Sequence, residues 1–411
     1  MRCRTCRCVN WPIWRPASHL QTKGVDLRGH RHASVRKHST HGNAPMRITH
    51  LVTHAGLNGV ATSSKTLIQA QLDAGHDVML VHSQNSWIER QKFDGPLEKM
   101  GSGFATAPAE LRRVGYAARD WGVDVVHTHG SRGNKFGLVF RCAAGTPIVM
   151  TAHTRQFQLP WLFAHAVIAP SQQTADYYLS HWLVRRRNMH LVRHMFDVGT
   201  VEAATPASQS AARAKLGLKP SSFVIGSVGE IDARKNQIDM VRMLKGLVGR
   251  GIDAELLLVG STRHIAGDAE WSAATADPQI QGRLHMSGER QDATRLLHAI
   301  DVYLCTSKME EGPIATLEAM ASALPVLSVD VGYSAALLRN GVNGWVFSHG
   351  ERERMTETAS MLAGDAALRR TVGIAARQTI ADHLAPQAIV PEIDTVYRQA
   401  IERAGKKPPQ K

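Results

Sequence analysis

The feature that most constrains the fold of this chain is a regular alternation of strand-like and helical segments that starts at Met46 and restarts once. Short apolar runs are separated by longer stretches with helical periodicity. The first series of runs is Arg47–Thr53, Asp77–His82, Asp124–His127, Pro147–Thr151 and Ala166–Ala169. The second series is Phe223–Val228, Ala254–Val259, Arg283–Met286, Asp301–Thr306 and Pro325–Val329. Strands that alternate with helices form parallel sheets covered by those helices. The sequence therefore predicts an α/β protein with two successive doubly wound, Rossmann-like domains.

The segment near residues 196–221 separates the two series, because it is small, polar and without strand character. We expect an N-terminal domain over residues 46–205 and a C-terminal domain over residues 206–385, sizes that suit a chain of 411 residues. Only helical patterns follow the second series. The last of them is expected to form a C-terminal helix within residues 386–411, before a polar tail.

The formal net charge of +14 is concentrated in residues 1–45, which hold nine Lys and Arg against one Asp and so carry +8. The other 366 residues carry only +6, which argues against a nucleic-acid-binding surface. This tail has neither helical nor strand periodicity and little to bury, which predicts disorder. A start of translation at Met46 is the alternative, because Met-Arg-Ile-Thr-His-Leu-Val reads as the opening strand of the first domain.

Cysteine usage suits a cytoplasmic protein, because the two cysteines outside the tail read as reduced thiols. Cys3, Cys6 and Cys8 lie in the tail as C-x-x-C-x-C without a second matched pair, a pattern too incomplete to predict a metal site. Cys142 and Cys305 are isolated in apolar contexts, as structural thiols are. The chain also has no run of about 18 uncharged apolar residues, so no membrane-spanning helix is predicted.

Polar loops follow the strands of the first series. In doubly wound domains the ligand binds at the carboxyl ends of the strands, so two facing domains place their sites in the cleft between them. The loop after the first strand contains Gly56 and Gly59, which let backbone amides approach a phosphate, although an ordinary turn explains them equally well. His127 and His129 end one strand and His153 follows the next. Three imidazoles are compatible with a metal site, but no carboxylate lies at ligand spacing, which favours contact with a hydroxyl or phosphate group.

Two pairs of charged residues mark the same edge of the second domain. Arg234 and Lys235 start a helix, where positive charge opposes the helix dipole; a bound anion explains them, and two solvated cations are the alternative. Glu310 and Glu318 lie eight residues apart around a Gly-Pro turn between a strand and a helix. The alternative is that Glu310 only complements the helix dipole and that Glu318 is a solvated residue of the helix.

Taken in order, these segments resemble the retaining glycosyltransferases of family 4, which have the GT-B fold. The resemblance extends from Met46 to the last helices and rests on the order of the motifs more than on any one of them. The motifs are the glycine loop after the first strand, D-V-V-H-T-H, A-P-S-Q-Q-T, V-G-E-I-D-A-R-K-N, L-L-L-V-G, S-G-E-R-Q-D, D-V-Y-L-C-T-S, the E-x7-E of Glu310 and Glu318, and V-D-V-G followed by N-G-V-N-G-W-V.

The resemblance implies that a nucleotide sugar binds in the second domain, across a deep cleft from an acceptor in the first. Glu310 would face the donor sugar, Glu318 would hold the ribose hydroxyls, and Lys235 with Arg234 would neutralise the diphosphate. The further donor contacts implied are Gly59, Gly288, Arg290, Gly312, Pro313 and Ile314. The residues implied for acceptor or sugar contact are His127, His129 and His153. The last helix would cross back to the first domain.

No cofactor is implied besides the nucleotide-sugar substrate, because the chain has no D-x-D motif and a divalent metal is not required for the diphosphate. Two positions depart from the family pattern. Glu230 follows Gly229 where arginine is frequent, and Ala336 stands where a glutamate is frequent. The first departure leaves the diphosphate to Arg234 and Lys235, and the second puts one donor contact in doubt.

The expected activity is transfer of a sugar to a glycan or lipid-linked acceptor in the synthesis of a cell-surface polysaccharide or lipopolysaccharide. A nucleotide-sugar epimerase of the same fold and a non-catalytic nucleotide-sugar-binding subunit are the alternatives. Residues 46–205 carry sixteen basic against eleven acidic residues, and Arg185–Arg187 lie beside Trp182. This pattern is compatible with peripheral contact with an anionic membrane and equally with a solvated basic patch.

Overall fold

The computed structural model describes residues 44–105 and 107–410 and contains two parallel β-sheets flanked by helices. This is the α/β architecture that the alternation predicts, with one Rossmann-like domain around each sheet. The expected disorder of the amino-terminal tail and the state of its three cysteines concern residues outside the described ranges.

The first sheet has seven strands in the order β3-β2-β1-β4-β5-β6-β7, and every neighbouring pair is parallel. The strands are β1 (Arg47–Val52), β2 (Asp77–Ser83), β3 (Leu97–Ser102), β4 (Val125–His129), β5 (Ile148–Thr151), β6 (Ala166–Ala169) and β7 (Met189–Leu191). The helices between them are α1 (Gly59–Asp73), α2 (Pro108–Asp120), α3 (Ser131–Ala144) and α4 (Gln172–Ser180). The strand order reverses between β1 and β4, which places a ligand crevice at their carboxyl ends.

The second sheet has six parallel strands in the order β10-β9-β8-β11-β12-β13. The strands are β8 (Phe223–Val228), β9 (Ala254–Val259), β10 (Leu284–Met286), β11 (Val302–Cys305), β12 (Val326–Val329) and β13 (Trp345–Phe347). The helices are α5 (Pro206–Leu216), α6 (Gln237–Gly249), α7 (Ala269–Thr275), α8 (Ala293–Leu296), α9 (Ile314–Ala321), α10 (Ser334–Leu337), α11 (Arg352–Gly364), α12 (Ala366–His383) and α13 (Pro386–Arg403). Here the order reverses between β8 and β11.

The first sheet is buried on both faces, as β2 shows. Val78 and Leu80 pack in a cluster with Ile68 of α1, whereas Met79 and Val81 belong to a different cluster that includes α2 and α3. Successive strand residues point to opposite faces. The strand is therefore apolar without interruption from Val78 to Val81, and this run is recognisable in the sequence.

Three strands at sheet edges, β3, β7 and β13, were not predicted from the sequence. β3 contains Glu98 and Lys99, both exposed, so it has no apolar run. β7 and β13 have only three residues each. An edge strand has a neighbour on one side only, so its sequence is less constrained than that of a central strand.

The last helix, α13, packs on the first sheet although it follows the second domain in the chain. Ile389 and Ile393 join the apolar cluster of β1, β4 and β5. The Asp394 carboxylate lies 3.1 Å from Nε2 of His76. Among the described residues, no helix is long and apolar enough to cross a membrane.

Candidate functional site

Two helix N-termini, one from each domain, face each other at the cleft. α1 begins at Gly59 after the cap residue Asn58, whose side chain accepts a hydrogen bond from the backbone N–H of Ala61 at 2.9 Å. α9 begins at Ile314, whose Cγ1 lies 3.7 Å from the position that a Cβ on Gly59 would occupy. Free N–H groups in the first turn of a helix attract anions. Both helices therefore present their positive ends to one region.

Gly312 and Pro313 form the turn before α9. Pro313 takes the N-cap position, so the helix begins at Ile314. A Cβ on Gly312 would lie 2.1 Å from Nδ1 of His194 and 3.0 Å from Cε1 of Tyr333. The absence of a side chain lets this turn of the second domain approach His194 of the first domain closely.

Glu310, in the same turn region, holds two cations. Its Oε1 lies 2.7 Å from Nζ of Lys235 and 3.1 Å from Nη1 of Arg234. Burial would raise the pKa of the Glu310 carboxyl, but Lys235, Arg234 and a hydrogen bond from Ser307 hold it below its ordinary value. Glu310 is therefore ionised at neutral pH. The Lys235 side chain is 20% exposed and that of Arg234 43%, so both remain accessible to a ligand.

The backbone before α6 fixes the position of Lys235. Asp232 Oδ1 accepts a hydrogen bond from the Lys235 N–H at 2.6 Å, and Asn236 adopts the left-handed region with φ +56°. Thr306 donates its hydroxyl to the Asn236 carbonyl at 2.9 Å, which ties this loop to the end of β11. Arg234 and Lys235 lie directly before Asn236, the N-cap residue of α6, so they are outside its first turn but still at its N-terminal end. Both side chains pair with Glu310.

An ion pair that the sequence analysis did not predict joins the two domains beside Glu310. Arg155 Nε lies 3.0 Å from Oε1 of Glu311, and the Arg155 backbone N–H donates to the same oxygen at 3.1 Å. Arg155 also donates from Nη2 to the Glu310 carbonyl at 3.3 Å. Both side chains are mostly buried, and burial raises the pKa of Glu311 although Arg155 opposes the shift. No sequence pattern links residues 156 positions apart.

Glu318 lies on α9, about one turn after the helix begins at Ile314. Its carboxyl forms no hydrogen bond or ion pair with the residues that the structure describes, and burial raises its pKa to about 7. In its ionised form this half-buried carboxylate can accept charge-assisted hydrogen bonds from hydroxyl groups that a ligand would bring.

Gly288 and Arg290 follow β10, at the opposite side of the second sheet from β12. Gly288 has φ +71°, a conformation that favours glycine. The Arg290 guanidinium is held by Asp292, with contacts of 2.9 Å and 3.1 Å, and Asp292 also pairs with Lys215 at 2.6 Å. Among the described residues Arg290 has no contact with Glu310, and its side chain remains 34% exposed.

The histidines differ in access. His127 is fully buried, its Nδ1 lies 2.7 Å from the Tyr397 hydroxyl, and its Nε2 lies 2.6 Å from Oγ1 of Thr151. His129 is also buried. Their ring nitrogens have hydrogen-bond partners inside the domain, and the expectation that they touch an acceptor or sugar stays a prediction. His153 is partly exposed and remains a candidate.

His50, His127 and His129 place ring nitrogens within 4.8 Å of one another, close enough to hold a metal ion. All six nitrogens nevertheless have hydrogen-bond partners within the protein. Burial lowers the pKa of each imidazole, most strongly for His127 and His129. The cluster is thus a self-satisfied network of neutral rings, and the expectation that no metal binds stays a prediction.

An open pocket of about 390 Å³ lies beside Glu310 and Glu311. It is lined by residues of both domains, namely Arg155, Gln173, Lys308, Met309, Asp330, Ser348 and His349. The cleft therefore has room for a ligand next to the charged cluster.

Two protein-family models match the chain. The model described as Glycosyltransferase Family 4 matches residues 57–199, and the one described as Glycosyl transferases group 1 matches residues 208–379. The fold is similar to the crystal structure of HepE from Anabaena in complex with UDP and glucose, with a TM-score of 0.71 over 85% of this chain and 98% of that one, at 20% identity.

Two curated relatives match a smaller part of this chain than HepE does. The capsular polysaccharide biosynthesis glycosyltransferase CapM of Staphylococcus aureus is 24% identical over 44% of this chain and 48% of its own. The UDP-Gal:alpha-D-GlcNAc-diphosphoundecaprenol alpha-1,3-galactosyltransferase of Escherichia coli is 26% identical over 54% of this chain and 62% of its own. The chain thus spans about half to three fifths of the length of these two relatives.

Proposed function

Because the chain belongs to the family 4 glycosyltransferases with the GT-B fold, we propose that it is a retaining enzyme that transfers a hexosyl group from a nucleotide sugar to a glycan or lipid-linked acceptor. The observation that carries this proposal is Glu310 held between Lys235 and Arg234 where the N-termini of α1 and α9 converge. The two cations and the helix N-termini suit the negative charge of a diphosphate whose bond to a sugar breaks.

In the proposed reaction the acceptor hydroxyl oxygen bonds to the anomeric carbon on the face from which the nucleoside diphosphate departs. The bond from the anomeric carbon to the phosphate oxygen breaks, and the hydroxyl proton passes to a phosphate oxygen. Lys235, Arg234 and the helix amides stabilise the charge on the leaving group, which is the largest catalytic contribution we expect. Glu310 faces the donor sugar and keeps Lys235 in place, and Glu318 accepts hydrogen bonds from the ribose hydroxyls.

The configuration of the product tests this proposal. We expect proton NMR of a product formed from an α-linked donor to show an α linkage from its first appearance. A β-linked product would contradict the retaining mechanism. The same assay without acceptor separates the alternatives, because an epimerase would convert the donor alone and a non-catalytic subunit would leave it unchanged.

The proposed transfer requires no divalent metal, because cationic side chains and helix amides face the diphosphate. We expect the initial rate to be unchanged after dialysis against excess EDTA. The measurement is turnover of the dialysed protein with and without added Mg²⁺ or Mn²⁺. A loss of turnover that a metal restores would contradict metal independence.

We place the activity in the synthesis of a cell-surface polysaccharide or lipopolysaccharide, on the cytoplasmic side of the membrane. The names of the capsular and diphosphoundecaprenol-dependent relatives support this placement. The free thiols of Cys142 and Cys305 are compatible with a reducing compartment.

A surface of the first domain supports peripheral contact with an anionic membrane. Large apolar side chains are exposed there, namely Phe157, Leu159, Leu162, Phe163 and Trp182. The side chains of Arg185, Arg186 and Arg187 are also exposed. Asn188 donates a hydrogen bond to the Ala164 carbonyl at 3.1 Å, so the two segments are adjacent. Exposed apolar residues beside arginines suit the interface of an anionic bilayer.

Changing Arg185, Arg186 and Arg187 together to serine is expected to lower binding to anionic vesicles roughly 100-fold, at about 1 kcal/mol per arginine. The measurement is sedimentation with phosphatidylglycerol vesicles, with phosphatidylcholine vesicles for comparison. The matched control changes Arg352 and Arg354 to serine, two exposed residues of α11. Equal pelleting of the triple variant and the wild type would remove the membrane proposal.

A further inference from the structure

Resting on the proposed function, we propose that Gln71 is a positioning residue that fixes the tautomer of His153, so that Nδ1 of His153 accepts a hydrogen bond from a sugar hydroxyl in the cleft. Gln71 lies on α1, inside the first domain, and is fully buried. Its influence passes to His153 through two buried histidines, His129 and His50.

The connection is an unbroken series of short contacts. Nε2 of His153 lies 3.1 Å from Nδ1 of His129. Nε2 of His129 lies 3.0 Å from Nδ1 of His50, and Nε2 of His50 lies 2.7 Å from Oε1 of Gln71. Each intervening ring therefore uses one nitrogen toward Gln71 and the other toward His153.

The protonation states of the three rings and the Gln71 carbonyl fix the direction in which each hydrogen bond of this series is donated. Burial lowers the pKa of His50 to about 4 and lowers that of His129 and His153 well below the ordinary value, so all three rings are neutral. A neutral imidazole carries one N–H and one lone pair. The Gln71 carbonyl oxygen can only accept, so the His50 proton is on Nε2 and its Nδ1 is a lone pair.

The same logic repeats along the series. The lone pair on Nδ1 of His50 requires the His129 proton to be on Nε2, and the lone pair on Nδ1 of His129 requires the His153 proton to be on Nε2. Nδ1 of His153 is then an acceptor. Reversing the Gln71 amide would invert every donor and acceptor and make this Nδ1 a donor, so Gln71 sets the polarity of the series.

The other side of the Gln71 amide is also engaged. Its Nε2 donates to the Tyr397 hydroxyl at 2.9 Å, and that hydroxyl lies 2.7 Å from Nδ1 of His127. Tyr397 belongs to α13, so the C-terminal helix is part of the network that orients the amide.

His153 stands at the edge of the donor site. Its ring stacks on His194, with centroids 5.6 Å apart and planes 14° apart, and His194 touches the Gly312 turn. Arg155, two residues later, pairs with Glu311. Nδ1 of His153 is free of partners among the described residues, so it is available to a hydroxyl group of a bound sugar.

Histidine-selective ¹⁵N labelling and long-range ¹H–¹⁵N NMR of the full-length protein test the proposal, with His153→Gln assigning the signals by their disappearance. We expect His153 in the wild type to be a neutral ring with the proton on Nε2. In Gln71→Leu we expect a mixture of tautomers at His153 and about a tenfold lower kcat/KM. Gln69→Leu, a partly exposed glutamine of the same helix, should change neither.

Two outcomes overturn the proposal: a proton on Nδ1 of His153 in the wild type, or an unchanged His153 spectrum in folded Gln71→Leu. If Gln71→Leu does not fold, the wild-type tautomer decides alone, and Tyr397→Phe provides a second perturbation that should also mix the tautomers. The tautomer is read in the free protein. A correct tautomer in a protein that transfers no sugar would therefore reject the proposed function without rejecting the hydrogen-bond series.

Discussion

Replacing Lys235 with alanine is expected to lower kcat/KM for sugar transfer by about 10² to 10³, the cost typical of removing one preorganised electrostatic contact. The Lys235 ammonium lies 2.7 Å from Oε1 of Glu310 and remains partly exposed to the cleft. Without it, the leaving diphosphate loses one of two side-chain cations, and the buried Glu310 carboxylate keeps Arg234 and the hydrogen bond from Ser307. Steady-state kinetics at saturating acceptor measures the effect.

The matched control is Lys245→Ala, which removes a lysine of α6 that pairs with Asp277 on the surface. We expect the activity of this variant to equal that of the wild type. A Lys235→Ala enzyme within threefold of the wild type would show that Lys235 serves only the internal ion pair with Glu310.

Glu318→Gln is expected to weaken donor binding by about 10-fold to 100-fold, because hydrogen bonds to a charged group contribute about 1.5–3 kcal/mol. The ionised carboxylate is the form that accepts both ribose hydroxyls. Burial raises the pKa of Glu318 to about 7, so donor binding to the wild type should strengthen as pH rises from 6 to 8. Calorimetric titration across this pH range should show the slope in the wild type and its loss in Glu318→Gln.

The raised pKa of Glu318 also predicts the sign of a stability effect. The folded state binds more protons than the unfolded state between about pH 4.5 and 7, so the free energy of unfolding falls as pH rises through this window. Glu318→Gln should therefore stabilise the protein above pH 7 by about 1–3 kcal/mol and have little effect below pH 4.5. Glu357→Gln, at an exposed position of α11, is the control. Equal pH profiles of stability for wild type and Glu318→Gln would contradict the buried position of this carboxyl.

The architecture was accessible from sequence because central parallel strands must be apolar on both faces. Their periodicity predicted two domains and the loops that carry Glu310 and Lys235. The contact between these two residues was not accessible from local pattern, because it depends on how the loop before α6 is tied to Thr306. The pairing of Arg155 with Glu311 depends likewise on how the two domains meet.

The three histidines His127, His129 and His153 show a second limit of prediction from sequence. Their position at strand ends was visible in the sequence, but their access was not, since it depends on α13. This helix lies more than 200 residues away in the chain and covers His127 with Tyr397. The positions of the imidazoles were therefore predictable from the sequence, whereas the burial of His127 and His129 was not.

Binding of a nucleotide sugar between the two domains is the central claim, and thermal unfolding of the full-length protein with UDP, GDP, ADP and CMP sugars tests it most directly. We predict that one class raises Tm through a stabilisation of about 3 kcal/mol at 100 times its Kd. The shift should be smaller in Lys235→Ala and in Glu318→Gln than in the wild type. A folded protein whose Tm does not respond to any of these sugars would contradict the claim.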